Sequence, residues 1–245
     1  MSIYHHCAIQ VRGDRAREIE DRIIKEGRFK LFINGALYTE LVASDEQLKE
    51  LGAGFVVCQG LARRVESVEV EGTSIYITAS LEGGPGRELS SAGAVGTSAP
   101  AGKVAAAFSI TTEDVFSVTR EIETELWKQT GGVHCSVLFC KGRLLVKSHD
   151  VGRHNTVDKV VGHAVLAGVD LAGCVLGCTG RQPRDMVVKS ARAGIPIIIS
   201  RAASTDKGIT VAEESGITLI CFSRNERFTV YTHPGRISDL CNYMS

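Results

Sequence analysis

The chain has 245 residues, 44% hydrophobic and 23% charged, a globular balance with room for one large domain or two modest ones. Formal net charge is zero, which argues against a sequence-independent grip on nucleic acid. The charge is uneven: residues 1–140 hold 14 Lys and Arg against 19 Asp and Glu, residues 141–245 hold 14 against 9, and this surplus favours an anionic small-molecule ligand in the C-terminal part.

The first thirty residues are too heavily charged for a secretory signal. Residues 1–80 read as β-rich with one helix: "FKLFINGAL" and "SIYITASL" as strands, "SDEQLKELGAGFVVC" as a helix with Ser44 at the N-cap and Gln47 in the capping-box position. Residues 81–103, with six Gly and two Pro, form a loop long enough to be either functional or a linker. From Thr111 the pattern changes. "TTEDVFSVTREIETELWKQ" predicts one amphipathic helix with Glu113 and Asp114 in its first turn. "VHCSVLFC" and "RLLVKS" predict a hairpin turned by Lys141-Gly142. Val157, Val160, Val161, Ala164 and Val165 recur at helical spacing. "GCVLGC", "IPIIIS" and "ITLICF" follow as strands, separated by helices over "PRDMVVKSARAG", with Pro183 in the first turn and Gly194 at the end, and "DKGITVAEESG". That alternation predicts a three-layer α/β domain with parallel central strands. The most apolar window, 160–180, is broken by His163, Asp170 and several glycines and reads as helix then strand, not as a membrane span.

The polar clusters fall at the predicted carboxyl edge of the sheet, where open α/β sheets bind ligands. They are "TGGVH" (Thr130 to His134), "HDVGRHN" (His149 to Asn155), "TGRQPRD" (Thr179 to Asp185), "RAASTDK" (Arg201 to Lys207) and "SRNERF" (Ser223 to Phe228). Arg153, Arg181, Arg184, Arg201, Arg224 and Arg227, with helix N-termini beside them, make an inventory suited to phosphate. Each cluster also has a plain reading: His154 and His163 as core or surface histidines, Asp150 as a helix cap, Asp158 and Lys159 as a solvated pair. Five polar loops at one edge favour an anion site over that reading. The eight cysteines show no CxxC spacing, so a zinc site or a disulfide scaffold is not expected, and reduced thiols in the cytoplasm are. Cys174 and Cys178 would share a strand face about 13 Å apart, too far to chelate one ion, and no metal ligands are assigned.

"TGGVH", "DVGRHNTVDKVVG", "TGR", "AGIP" and "GITLICFSRNERFTVYTHPGRI" resemble the formate dehydrogenase accessory sulfurtransferase (FdhD-type) family, over about Thr130 to Ile237, with a fainter likeness in "INGALYTELVASDEQLKELGAGFVVCQGL". The resemblance implies a cytidine-deaminase-like α/β domain over 104–245 behind a smaller β-rich N-terminal domain over 1–103. It also implies a homodimer that takes sulfur from a cysteine desulfurase and passes it to the bis(molybdopterin guanine dinucleotide) cofactor of a molybdenum- or tungsten-dependent formate dehydrogenase, with GDP as a mimic of the bound cofactor. The cofactor-contact segment corresponds to Phe222, Ser223, Arg224, Asn225, Glu226 and Arg227, and the polar edge adds His134, Arg153 and Arg181. Where the family carries CGxCG in a flexible loop, this chain has "SAGAVG", with Ala92 and Val95 in place of the two cysteines. Neither residue can carry a persulfide, and the zinc pattern of the deaminases is missing as well. Catalytic residues are therefore not assigned. Two readings stand beside a sulfurtransferase: a cofactor-binding chaperone without covalent chemistry, and an unrelated nucleotide-processing enzyme.

Overall fold

Two sheets, with helices packed between and around them, fix where the polar residues gather. The computed structural model describes residues 3–82, 87–89, 95–97, 102–105 and 108–243, with backbone alone for 87–89 and 95–97. A long hairpin, β1 (Ile3–Arg12) and β2 (Arg15–Ile24), comes first. A four-stranded sheet in the order β4-β3-β6-β5 follows, from β3 (Gly27–Ile33), β4 (Ala36–Ala43), β5 (Ser67–Glu71) and β6 (Ser74–Thr78), with α1 (Leu48–Cys58) inserted between its strands in sequence. Within the expected Gly-rich loop, β7 (Arg87–Leu89) and β8 (Val95–Thr97) pair antiparallel, so the stretch is not structureless throughout.

The C-terminal part contains α2 (Thr112–Ile122), α3 (Glu125–Thr130), β9 (His134–Cys140), β10 (Arg143–Asp150), α4 (Arg153–Leu166), β11 (Cys174–Cys178), α5 (Arg184–Ala193), β12 (Ile197–Ser200), α6 (Asp206–Ser215), β13 (Thr218–Arg224) and β14 (Arg227–Val230). Its six-stranded sheet runs β10-β9-β11-β12-β13-β14, parallel across β11, β12 and β13 and antiparallel at β9, β10 and β14. Val115, Val118 and Ile122 of α2 pack with Val137, Val175 and Ile199 on one face. Val157, Val160 and Val161 of α4 and Met186 of α5 pack with Leu138 and Leu176 on the other. The expected three-layer α/β arrangement results. Each such apolar side chain removed from water contributes roughly 1.5–3 kcal/mol.

Helix α1 lies between the smaller sheet and α4. Its Leu51 and Phe55 join the smaller sheet's core with Leu31 and Ile75, while Val57 and Cys58 join the core under α4. A Cβ on Gly54 would collide with the backbone of Asp158, and one on Gly162 with the backbone of Glu50. Glycine at these two positions therefore sets how closely α1 and α4 cross.

Three local expectations change. Ser44 does not cap α1: Gln47 does, in a left-handed conformation (φ 53°) and with no side-chain cap, because Ser44 is drawn into a buried ion pair described below. The single helix expected over 111–129 is two. Thr111 and Asp114 close a capping box on α2, the backbone extends at Glu123, and Thr124 caps α3 by accepting from the Trp127 N–H. Pro183 sits at the N-cap of α5, one position before the helix rather than in its first turn, while Gly194 closes it in a left-handed conformation (φ 79°) as expected.

Candidate functional site

The register of the larger sheet brings the predicted polar ends together. His134 pairs with Asp150, Ser136 with Cys178, and Cys178 with Ser200, so the start of β9 and the ends of β10, β11 and β12 share one edge. Beyond it opens a cleft of about 280 Å³. His134, Thr179, Arg201 and Arg224 line its sheet side. Glu123, Thr124 and Trp127 form the opposite wall, created by the break between α2 and α3.

Each lining group is fixed by the fold. The Thr179 N–H donates to the Cys135 carbonyl (2.9 Å), and the Cys135 N–H donates to Thr179 Oγ1 (3.0 Å), which extends the β9–β11 ladder by one residue. His134 Nδ1 lies 3.2 Å from the same hydroxyl. Arg201 Nη1 sits 3.0 Å from Glu123 Oε1, an ion pair rather than an aligned hydrogen bond, and its guanidinium stands over the Trp127 ring, 5.9 Å from the centroid. Arg224 Nε donates to the Arg201 carbonyl (3.1 Å), leaving the fork of its guanidinium at the rim. Two cations, a half-exposed indole and an imidazole therefore face one space. That set suits a planar anionic ligand: guanidinium forks for phosphate oxygens, and an aromatic face for a ring.

A second cluster adjoins His134. Arg153, the first residue of α4, lays its side chain over Gly180, where a Cβ would crowd it at 2.9 Å. Burial, and then the neighbouring Arg181 charge, lower the Arg153 pKa. His134 is held below the ordinary histidine range by burial first and Arg153 second, and His154 falls to about 3 through burial, Lys189 and Arg153. Both imidazoles are therefore neutral near pH 7.

The stretch "HDVGRHNTVDK" has a different job at its two charged pairs. Asp150 and Lys159 are both 0% exposed and 2.6 Å apart. Asp150 Oδ2 also accepts from the Ser44 N–H and Ser44 Oγ, each at 3.0 Å, while Oδ1 accepts from Gly152 N (2.9 Å) and Asn155 Nδ2 (2.8 Å). Asn155 Nδ2 donates in addition to the Val42 carbonyl (2.8 Å). Asp158 accepts from Lys189 Nζ on α5 at each carboxylate oxygen (2.6 and 2.7 Å) and lies against the Cys58 thiol of α1. Asp158 and Lys159 are therefore not a solvated pair. Each serves its own buried partner, and together they join the smaller sheet, α1, α4 and α5 behind the site.

The six C-terminal candidates divide. Arg224 lines the cleft. Asn225 and Glu226 are exposed at the β13–β14 turn, Asn225 with φ 48°, and Arg227 pairs with Arg224 across it. Ser223 is buried and hydrogen-bonded to Thr119 of α2, so its hydroxyl faces the core. Phe222 is left-handed (φ 52°), donates its N–H to the Ala202 carbonyl and packs into the core beneath α5 and α6. That kink interrupts the β13–β14 register between Cys221 and Arg224. Glu123, Thr124 and Trp127 were not foreseen as site residues; the second Thr-x-x run inside the supposed single helix was the available signal for the break that exposes them. Cys135 and Cys178, the thiols nearest the edge, are buried, and burial pushes each up to about 12. Ala92 lies outside the described residues, as does the side chain of Val95, whose backbone begins β8. Among the described residues no group of His, Cys, Asp and Glu could hold a metal ion, and no helix is long and apolar enough to cross a membrane.

Residues 24–238 match the FdhD/NarQ family. The sulfur carrier protein FdhD of Wolinella succinogenes is 34% identical over 90% of this chain and 84% of its own length. Its counterpart in Methanothermobacter thermautotrophicus is 31% identical over 97% of this chain and all of its own. A crystal structure of a candidate formate dehydrogenase accessory protein from Desulfotalea psychrophila superimposes with a TM-score of 0.81 at 30% identity, covering 96% of this chain and 99% of that one.

Proposed function

The chain belongs to the FdhD/NarQ family, and on that footing we propose that it is an accessory protein of a molybdenum- or tungsten-dependent formate dehydrogenase that binds the guanine dinucleotide part of the bis(molybdopterin guanine dinucleotide) cofactor. The observation that carries this reading is the cleft at the sheet edge, where Arg201, Arg224 and neutral His134 face Trp127. The donor set fits the cofactor's diphosphates and guanines: Arg224 at the rim for phosphate oxygens, and Trp127 for a purine face. The cofactor brings the sulfur-ligated metal chemistry when bound; this chain's residues hold and orient it. Since the cofactor carries two nucleotides, a homodimer with one cleft per subunit is part of the proposal. Calorimetry with GDP, a fragment of the cofactor, tests the binding claim.

A second reading concerns sulfur. Relatives are named sulfur carriers, which makes a cysteine desulfurase the natural donor partner. Against transfer by the family's loop stand Ala92 and Val95 in place of its cysteines, and the protonated, buried state of Cys135 and Cys178 favours no substitute at the cleft. The protein then acts as a cofactor-binding chaperone. Mass spectrometry after incubation with a cysteine desulfurase and cysteine separates the readings, since an added sulfur atom on any Cys supports transfer.

A further inference from the structure

At the end of the larger sheet away from the cleft, two thiols meet. Cys140 closes β9, Cys174 opens β11, and the antiparallel register sets them directly opposite each other. The parity of the ladder tells what kind of pair they are. The Thr179 N–H donates to the Cys135 carbonyl, so 135 and 179 form a hydrogen-bonded pair just beyond Ser136 and Cys178. Opposite pairs alternate in kind along an antiparallel ladder. Counting along it, Ser136–Cys178, Leu138–Leu176 and Cys140–Cys174 are the non-hydrogen-bonded pairs. Such pairs bring Cα atoms to about 4.5 Å with both side chains on one face. That separation is inside the roughly 4.4–6.8 Å over which a disulfide closes without backbone movement.

The surroundings agree. Cys174 lies in the core beneath α4, and Cys140 packs against that same core. Burial first and the neighbouring Cys140 thiol next push Cys174 up to about 12, and its Sγ donates to the Asp170 carbonyl (3.5 Å). Cys140 is half-buried beside the exposed Lys141-Gly142 turn and open to reagents in solution, whereas Cys174 is buried.

We propose that Cys140 and Cys174 are a redox-active pair, a modification site that closes by exchange with a low-molecular-weight disulfide. The Cys140 thiolate attacks one sulfur of the reagent, forming a mixed disulfide and expelling one small thiolate. Cys174 then loses its proton and attacks the Cys140 sulfur, expelling the second. The protein gives up two electrons and two protons, and the reagent leaves as two thiols. Burial keeps Cys174 protonated, so the second step is the slow one and accelerates as pH rises. The closed bond ties the end of β9 to the start of β11, restricts the unfolded chain and raises the melting temperature. The inference is independent of the cofactor reading.

The test is incubation of the full chain with oxidised glutathione, followed by non-reducing peptide mapping and a melting curve. A Cys140–Cys174 linked peptide, with loss of two hydrogens and a higher Tm reversed by dithiothreitol, is the expected result. A glutathione adduct on Cys140 should precede it. Cys140→Ser, a conservative change at a part-buried strand end, should leave Cys174 unmodified and Tm insensitive to the oxidant. No linked peptide in the wild-type chain, a Cys140 adduct that never resolves, or links only between other cysteines would overturn the proposal.

Discussion

Replacing Asp150 by Asn keeps the shape of the side chain and removes its charge, and the structure says what that leaves behind. Lys159 is 0% exposed, and its ammonium meets only Asp150, the Ser44 hydroxyl and two backbone carbonyls at 3.4 Å. Breaking such a buried pair from one side costs about 3–5 kcal/mol, because the remaining charge stays buried with no carboxylate in contact and only the weaker pull of Asp45 and Glu50. For a chain of this size that is on the order of 6–20 °C in Tm. Burial already lowers the Lys159 pKa, and Asp150 is the first group opposing the fall. Without the carboxylate the folded-state value drops further below that of the unfolded chain. The unfolded state then binds the extra proton between the two values, so the Asn variant regains stability as pH rises toward 10. Changing Lys159 to Met in the same chain should recover most of the loss. Urea denaturation of wild type, Asp150→Asn and the double variant at pH 7 and pH 9 measures all three effects. A single-variant cost below about 1 kcal/mol, or no recovery in the double variant, would refute the assignment of Asp150 as the counter-ion that permits Lys159 to be buried.

His154 is 8% exposed, and its Nε2 has no hydrogen-bond partner. Its folded pKa of about 3 is far below the unfolded value of roughly 6.5, so stability is lost as pH falls through that window, by about 2 kcal/mol at pH 5; in denaturation between pH 7 and pH 5 the wild type should lose about that much more than His154→Phe, which keeps the smaller losses from His134 and His149. Gly162→Ala would push a Cβ into the Glu50 carbonyl of α1 and should cost more than the about 1–3 kcal/mol of ordinary overpacking, seen as a lowered urea midpoint. A maleimide should label exposed Cys7 and Cys241 quickly and leave Cys135 and Cys178 unmodified in the folded chain; rapid labelling of either buried thiol would reopen sulfur transfer at the cleft.

Periodicity made much of the C-terminal part legible. The β9–β10 hairpin turns at Lys141-Gly142 with both residues left-handed, and α5 ends at Gly194, because these signals are local backbone preferences. What local reading missed was decided by tertiary partners. Ser44 has the composition of an N-cap, but the buried Asp150 carboxylate claims both its hydroxyl and its N–H. Asp158 and Lys159, adjacent in sequence, look like a solvated pair and turn out to face separate buried partners on α4's two sides. The β1–β2 hairpin carried a Gly13-Asp14 turn signal between two strands too polar to stand out. For the candidate site, the arginine-bearing loops pointed to the edge where the cleft opens, since chain direction in an α/β sheet fixes which loops share it. The wall facing them, Glu123 to Trp127, depends on a helix break whose one local signal, the Thr124 cap, is masked by an amphipathic pattern that runs on through it.

Binding of guanine nucleotide at the cleft is the central claim, and titration calorimetry of the wild-type chain and Arg224→Ala with GDP tests it most directly. Arg224 is held at the rim by its bond to the Arg201 carbonyl and lies outside the core, so the variant should fold normally. Losing one charge-assisted contact should weaken binding by about 1.5–3 kcal/mol, roughly tenfold to a hundredfold and more in Kd. Absence of binding by the wild-type chain, or equal affinity in the two proteins, would contradict it.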